Sequence, residues 1–362
     1  MTAIALLDDP ELLDLFLEDM DRQSDLWKPT NYWKGHCARM RRELERHGLK
    51  GFRRNWNLMR GVDLGPKEVT LTRAPIVGES ALARWARRLS LCRQAEEYVD
   101  ELVARANASG EAHMKRQMSL LYNLLQQGER AKVVCSRVDD SGAGDPHLYV
   151  LDGRQYSSNM LHHIVLLSLL FHDAGTDEYQ RVLEIGGGYG ALAEALHKYR
   201  DVGSGYFVEV DIPPLVYVTT QYLKALFPEK VVDYRQVRNS SRITARDIQG
   251  KILVIPPWSV PALDLRFDLL WNSISFQEME PDVVTNYLEF VGPVTNQIFI
   301  NTRTAGHRKG LGGQVEQITF DWLADRLASM GYSRMARADC VEAAAFRSML
   351  PLHSAALFAR TA

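Results

Sequence analysis

One stretch constrains this chain more than any other: Arg181-Val-Leu-Glu-Ile-Gly-Gly-Gly-Tyr-Gly190, running straight into Ala191-Leu-Ala-Glu-Ala-Leu196. The apolar run before the glycines reads as a buried strand, and the alanine- and leucine-rich run after them reads as a helix. Glycines let the turn between them take positive φ and approach a ligand without Cβ atoms in the way. The helix start also leaves free N–H groups beside that gap. A second strand, Gly205-Tyr-Phe-Val-Glu-Val-Asp211, ends in an acid 21 residues after Gly190. An acid in that place accepts hydrogen bonds from both hydroxyls of a ribose. Glu209, two residues earlier on the same strand face, is the competing candidate.

From this unit onward strand and helix patterns alternate. Strands are expected at Arg181–Ile185, Gly205–Val210, Ile252–Ile255, Phe267–Trp271 and Gln297–Asn301. Helices are expected at Leu161–Phe171, Ala191–Tyr199, Leu215–Leu226, Val283–Val291 and Phe320–Met330. Such alternation implies right-handed βαβ units and a mostly parallel, α/β sheet. Met335–Val341 and Ala355–Arg360 are both strand-like with no long helix between them, so the sheet should end in an antiparallel C-terminal hairpin.

The first 130 residues read differently. Glu11–Arg22, Asn31–His47, Ser80–Ala106 and Ala112–Gln127 carry helical spacing, and Gly48 is a plausible helix stop. The first strand pattern is Lys132–Val138. Asp139-Asp-Ser-Gly-Ala-Gly-Asp-Pro146 is a loop. The expected division is an all-helical N-terminal cap over 1–145 and a catalytic domain over 146–362. The cap carries Trp27, Tyr32, Trp33, Phe52, Trp56 and Trp85. Most should be core, with some roofing a pocket or forming a homodimer face.

Composition narrows the class. The chain has 362 residues, 46% hydrophobic and 24% charged, with a net charge of -2. That balance offers no general attraction to nucleic acid or an anionic membrane, although arginines cluster between Arg39 and Arg60. The N-terminus has no basic signal-peptide region, and the apolar run His162–Phe171 is too short to span a bilayer. Cys37, Cys92, Cys135 and Cys340 are scattered, as in a cytoplasmic protein with reduced thiols. No His/Asp/Glu cluster has clear metal spacing.

The loop admits three ligand readings. Gly186, Gly188 and Ala191 satisfy a loose dinucleotide pattern, so an NAD-dependent oxidoreductase is one. A turn that merely packs helix on strand is another. Three features favour S-adenosylmethionine: Glu184 stands two residues before the first glycine, Gly190 completes G-x-G-x-G, and no positive charge follows to hold a pyrophosphate.

Val182-Leu-Glu-Ile-Gly-Gly-Gly-Tyr-Gly190 resembles motif I of class I S-adenosylmethionine-dependent methyltransferases, and Val210-Asp-Ile-Pro-Pro-Leu215 is similar to the element ending their second strand. Asn272-Ser-Ile-Ser-Phe-Gln-Glu-Met279 resembles a signature of bacterial putative sugar O-methyltransferases from natural-product gene clusters. Tyr32-Trp33 and Gly48-Leu-Lys-Gly-Phe-Arg-Arg54 resemble the cap of that family. The resemblance implies a Rossmann-like sheet with Glu184, Gly186, Gly188 and Gly190 along the methionine and ribose side of the cofactor and Asp211 on the ribose. Tyr156 and Asn159, ahead of motif I, would close over its amino-acid end. The third strand ends Ile255-Pro-Pro-Trp258 where an Asp often meets adenine, so Trp258 is a stacking candidate and a packing one equally.

Ligands of a doubly wound sheet bind beyond the carboxyl ends of its strands. Asn272–Glu280 is therefore the expected wall of the site, with Asn272 on the cofactor side and Ser275, Gln277 and Glu280 toward the acceptor. Glu278 is the candidate base or clamp; Glu280, just before Pro281, also suits a helix-capping acid. In the loop after the fifth strand, His307 is a second candidate base, and Arg303 or Arg308 a grip for an anionic group. His162 and His163 are adjacent on a helix, so one should pack and the other be solvated. The expected activity is methyl transfer to a small-molecule acceptor of secondary metabolism, a sugar hydroxyl first. N-methylation of an amine or a guanidinium such as that of arginine is the alternative. A fold-retaining protein without turnover is also open.

Overall fold

The computed structural model describes residues 4–59, 110–200, 203–307 and 315–361. The expected helix 80–106, Trp85, Cys92, Arg308 and the side chain of Trp56 lie outside the described residues.

The main sheet has eight strands: β1 (Arg181–Ile185), β2 (Tyr206–Val210), β3 (Val231–Val232), β4 (Ile252–Ile255), β5 (Phe267–Ser273), β6 (Thr295–Arg303), β7 (Tyr332–Arg334) and β8 (His353–Arg360). Their order across the sheet is β7-β8-β6-β5-β1-β2-β4-β3. Every pairing from β6 to β3 is parallel, while β8 runs antiparallel between β6 and β7. β2 and β4 are buried at every position because helices cover both faces of the sheet. The chain leaves β1 toward β2, β3 and β4, then returns on its other side with β5 and β6. The carboxyl end of β1 is thus the point where connections diverge, and a crevice opens there.

The antiparallel ending has a different connection from the one expected. β7 stops at Arg334, and Val341–Met349 is a helix between β7 and β8. Cys340 starts that helix by accepting from the Ala343 N–H, and Ala343, Ala345 and Phe346 pack inward at helical spacing. Lys132–Val138 is also not a strand. Glu129–Arg137 is a helix burying Ala131, Val134 and Cys135, and its neighbour is another helix, Ser158–Ala174, rather than a sheet edge.

Ser158–Ala174 is the central helix of the C-terminal half. Ser157 caps it by accepting from the Met160 N–H at 3.0 Å, and Gly175 closes it at φ +68°. Helices 129–137, 191–199 and 341–349 and strand β8 surround it. Every residue from Asn159 to Phe171 is buried, so His162 and His163 are both inside, against the expectation of one solvated histidine.

The N-terminal helices α1 (Pro10–Asp21) and α2 (Asn31–His47) pack on segments that follow β2 and β5. Phe16 stacks on Tyr234 at 4.8 Å, and Asp19 accepts from the Tyr234 hydroxyl and the Arg238 guanidinium. Trp27 sets its ring edge-on to Tyr287 at 5.6 Å. Arg53, itself buried, binds Asp140 through two hydrogen bonds of 2.8 and 2.9 Å and also donates to Ser157. A further helix covers 110–125. Among the described residues no helix is long and apolar enough to cross a membrane.

Candidate active site

The glycine turn after β1 is shaped by what lies behind it. Gly186, Gly188 and Gly190 all take positive φ, at +77°, +72° and +93°. Gly187 needs its missing side chain for another reason: a Cβ there would overlap Glu209 Oε1 and come within 2.7 Å of the Glu184 carboxyl carbon. Glu184 and Glu209 are register partners on β1 and β2, both buried. Burial pushes both carboxyls up: Glu184 to about 8, with the Asp211 charge adding to the rise and its contact with Glu209 opposing it, and Glu209 well above the ordinary range, with the Glu184 charge adding to it. Such a pair shares protons rather than carrying two charges.

Asp211 ends β2 and ties the turn together. Its Oδ2 accepts from the Gly188 N–H at 2.8 Å and its Oδ1 from the Ile212 N–H at 2.7 Å. Burial raises its pKa to about 7, against the lowering effect of those two bonds. One lone pair on each oxygen remains for a ligand.

A crevice of about 900 Å³, counted out to solvent, runs from this turn along the end of β5. Glu184, Gly186, Gly187, Gly188 and Asp211 line its inner end, with Asn159 and His163 from the central helix. Asn159 donates to the Tyr189 hydroxyl at 2.9 Å, which leaves its Oδ1 buried without a partner. Glu184 Oε2 and His163 Nδ1 are likewise buried and unpartnered. Burial holds His163 neutral, with its pKa down to about 4. Unpaired buried acceptors are rare in folded proteins, and here they face one space.

The outer end is lined by Lys28, Thr30 and Trp33 from the N-terminal part and by Ser273, Ile274, Ser275, Glu278, Met279 and Tyr287. Ile274 sits at φ +73°, a strained conformation for a β-branched residue, held by its N–H donating to Asn301 O at 2.7 Å. Glu278 Oε2 accepts from the Trp33 indole N–H at 3.1 Å, and its Oε1 is 3.6 Å from His307 Nε2. The Thr30 hydroxyl donates to the Glu278 carbonyl at 2.9 Å. Tyr32 lays its ring 5.3 Å from that of His307. Burial raises the Glu278 pKa; His307, Trp33 and Arg303 pull it back.

Several of the residues singled out from sequence stand elsewhere. Tyr156 is fully buried, donates its hydroxyl to Cys135 O at 3.0 Å and does not line the crevice. Trp258 is also outside it, its indole N–H given to the Tyr234 hydroxyl at 2.9 Å. Asn272 shapes the wall from behind, donating to Ile185 O and Ser275 Oγ. Gln277 spends its carbonyl oxygen on Thr302 Oγ and the Arg303 N–H. Glu280 accepts from the N–H groups of Val315 and Glu316. Arg303 is not a lining residue, and His307 stands behind Glu278 rather than in the crevice itself. Sequence reasoning placed Trp33 among the cap aromatics, some of them roofing a pocket, and in the Tyr32-Trp33 resemblance, but gave it no partner; it passed over Thr30, Lys28 and His163 as site residues.

No known protein family matches the chain, and no curated protein does. Solved structures similar to it include the pyocyanin biosynthetic protein PhzM, at 12% identity, covering 56% of this chain and 57% of that one, with a TM-score of 0.37. Magnesium protoporphyrin IX methyltransferase (ChlM) from Synechocystis PCC 6803 with bound SAH is 10% identical, covering 56% and 83%, with a TM-score of 0.35. Human N-acetylserotonin methyltransferase in complex with SAM is 13% identical, covering 57% and 56%, with a TM-score of 0.34. The aligned part takes in 57% of the length of both PhzM and the mitomycin 7-O-methyltransferase MmcR. The fold assignment rests on the chain's own strand order rather than on these likenesses. A doubly wound parallel sheet, a glycine turn at its switch point and an antiparallel β8 inserted between β6 and β7 give this chain the class I methyltransferase fold.

Proposed function

We propose that this protein is an S-adenosylmethionine-dependent methyltransferase acting on a small-molecule acceptor, in the first place on a hydroxyl such as that of a sugar. The observation that carries the reading is the row of acceptors in the crevice. Among the described residues Glu184, Asp211 and Glu278 line it, with Lys28 as the one lysine. A cofactor with a sulfonium and an ammonium draws these carboxyls into their ionised, accepting form, whereas the pyrophosphate of NAD offers them no donor.

The residues fit that cofactor. A Cβ at Gly186 would displace Ser275, and one at Gly187 the Glu209 and Glu184 carboxyls that lie behind the turn, and Glu184 Oε2 and Asn159 Oδ1 are acceptors without donors, suited to an ammonium. Asp211 keeps lone pairs for two ribose hydroxyls. S-adenosylmethionine supplies a methyl group on positively charged sulfur, open to in-line attack. The protein must hold an acceptor atom about 3 Å from that carbon and remove its proton. Glu278 takes the proton in this reading, with His307 Nε2 behind it at 3.6 Å. The acid excess of the crevice favours a second acceptor class, the guanidinium or amine of a small molecule such as arginine, for which Glu278 would be a clamp as well as a base.

Calorimetric titration with S-adenosylhomocysteine and, separately, with NAD tests the cofactor. Binding of the first alone is expected, and binding of NAD alone would overturn the proposal. Sugars and arginine, each incubated with labelled S-adenosylmethionine, then decide the acceptor class by which one takes up the label.

A further inference from the structure

The crevice is closed on one side by a piece of chain far from it in sequence. Trp33 is 7% exposed and its indole N–H ends on Glu278 Oε2 at 3.1 Å, across 245 residues. Thr30, three residues earlier, binds the carbonyl of the same glutamate, and Tyr32 packs its ring against His307. Three neighbouring residues at the start of α2 thus touch both groups of the Glu278–His307 pair. Nothing about ordinary core packing requires a buried indole to spend its only donor on a carboxylate that also lines a ligand crevice.

We propose that Trp33 is a positioning residue for methyl transfer: its N–H fixes the Glu278 carboxylate in the orientation and ionised form that faces the acceptor. This rests on the methyltransferase reading above. The groups acting on Glu278 are Trp33 from the N-terminal part, Asp211 from the end of β2, and Arg303 and His307 from the end of β6 and beyond; Lys28, Tyr287, Glu184 and His163 share the crevice, and His36 packs on the far side of Trp33 at 5.4 Å between rings. Asp211 opposes ionisation of Glu278, and His307, Trp33 and Arg303 favour it. Removing one donor from a buried carboxylate therefore shifts its titration to higher pH.

The test needs no acceptor. Sinefungin carries an amine where S-adenosylmethionine carries its transferable methyl, so its ammonium reports the charge on the acceptor side, and S-adenosylhomocysteine lacks that group. Both affinities are measured by calorimetry from pH 6 to 9 for the wild type, Trp33→Phe and Glu278→Gln. Trp33→Phe is expected to leave S-adenosylhomocysteine affinity within about twofold while the pH at which the preference for sinefungin sets in moves upward, so that the preference drops several-fold at the low end of the range and returns at the high end. Glu278→Gln should lose the preference at every pH. An unchanged preference in Trp33→Phe overturns the proposal, and so does an equal loss of both ligands, which marks a merely structural role. Failure of the wild type to bind either ligand overturns the methyltransferase reading, and the proposal with it. Should Trp33→Phe not fold, the indole N–H resonances of the wild type decide: one must titrate with pH and become silent in Glu278→Gln, and the absence of such a resonance counts against the proposal.

Discussion

Arg53 and Asp140 form a two-pronged ion pair inside the protein, with the Arg53 guanidinium 4.7 Å above the ring of Tyr189 in the glycine turn. The pair links the N-terminal part to the loop before the sheet-bearing half, and both side chains are almost wholly buried. Arg53→Ala leaves a buried carboxylate without its cation and should cost about 3–5 kcal/mol. Thermal or urea unfolding measures it. Against burial, Arg53 holds the Asp140 pKa below its ordinary value. That stabilisation is present above the unfolded carboxylate pKa and is lost as pH falls through the folded one. The gap between wild type and variant should therefore narrow on acidification below about pH 4.

Glu184 and Asp211 shift the other way, up to about 8 and about 7. A folded carboxyl that binds its proton more tightly than the unfolded one stabilises the fold at low pH, and the contribution disappears as pH rises through the folded value. The ligand-free melting temperature should fall as pH rises from about 4.5 and level off above about pH 8. Binding of S-adenosylhomocysteine should strengthen across the same interval, because the ionised acids are the better acceptors for ammonium and hydroxyl donors. A pH-independent affinity would contradict these assignments. Glu184→Gln should flatten both trends.

Gly187→Ala puts a methyl group into the space of Glu209 and Glu184. Overpacking of this kind costs about 1–3 kcal/mol. Because the turn must shift to relieve it, S-adenosylhomocysteine affinity should fall by at least about tenfold while circular dichroism stays native. Retained affinity would mean that the turn does not cradle the ligand.

Tyr156→Phe and Trp258→Phe should separate packing from binding. The first removes a buried hydrogen bond to Cys135 O and the second a partly buried one to the Tyr234 hydroxyl, each at a cost of about 1 kcal/mol. Neither should change S-adenosylhomocysteine affinity. A tenfold loss in the Trp258 variant would restore it as an adenine contact.

The sheet was legible because burial on both faces gives parallel strands unbroken apolar runs, and β1, β4 and the helices 191–199 and 215–226 fall where the pattern predicts them. Lys132–Val138 misled because a short apolar run has no period long enough to separate strand from helix. The glycine turn and Asp211 carry their geometry in residue type. Glu278 and His307 carry only their chemistry, and what brings them together is the register of β5 and β6, Asn301 against Ser273. Gln277, between polar neighbours in sequence, looked equally eligible for ligand contact; its partners on β6 could not be read from spacing. Trp33 is the extreme case, since no local pattern encodes a partner 245 residues away.

That separation has a kinetic meaning. Synthesis proceeds from the N-terminus, and α2 is complete long before Glu278 exists. Closing so long a loop is entropically slow compared with forming local helices. The sheet can assemble from residues that follow one another closely, and the contact between Trp33 and Glu278 is expected to form late, so the newly made chain should hold its sheet before that wall of the crevice closes.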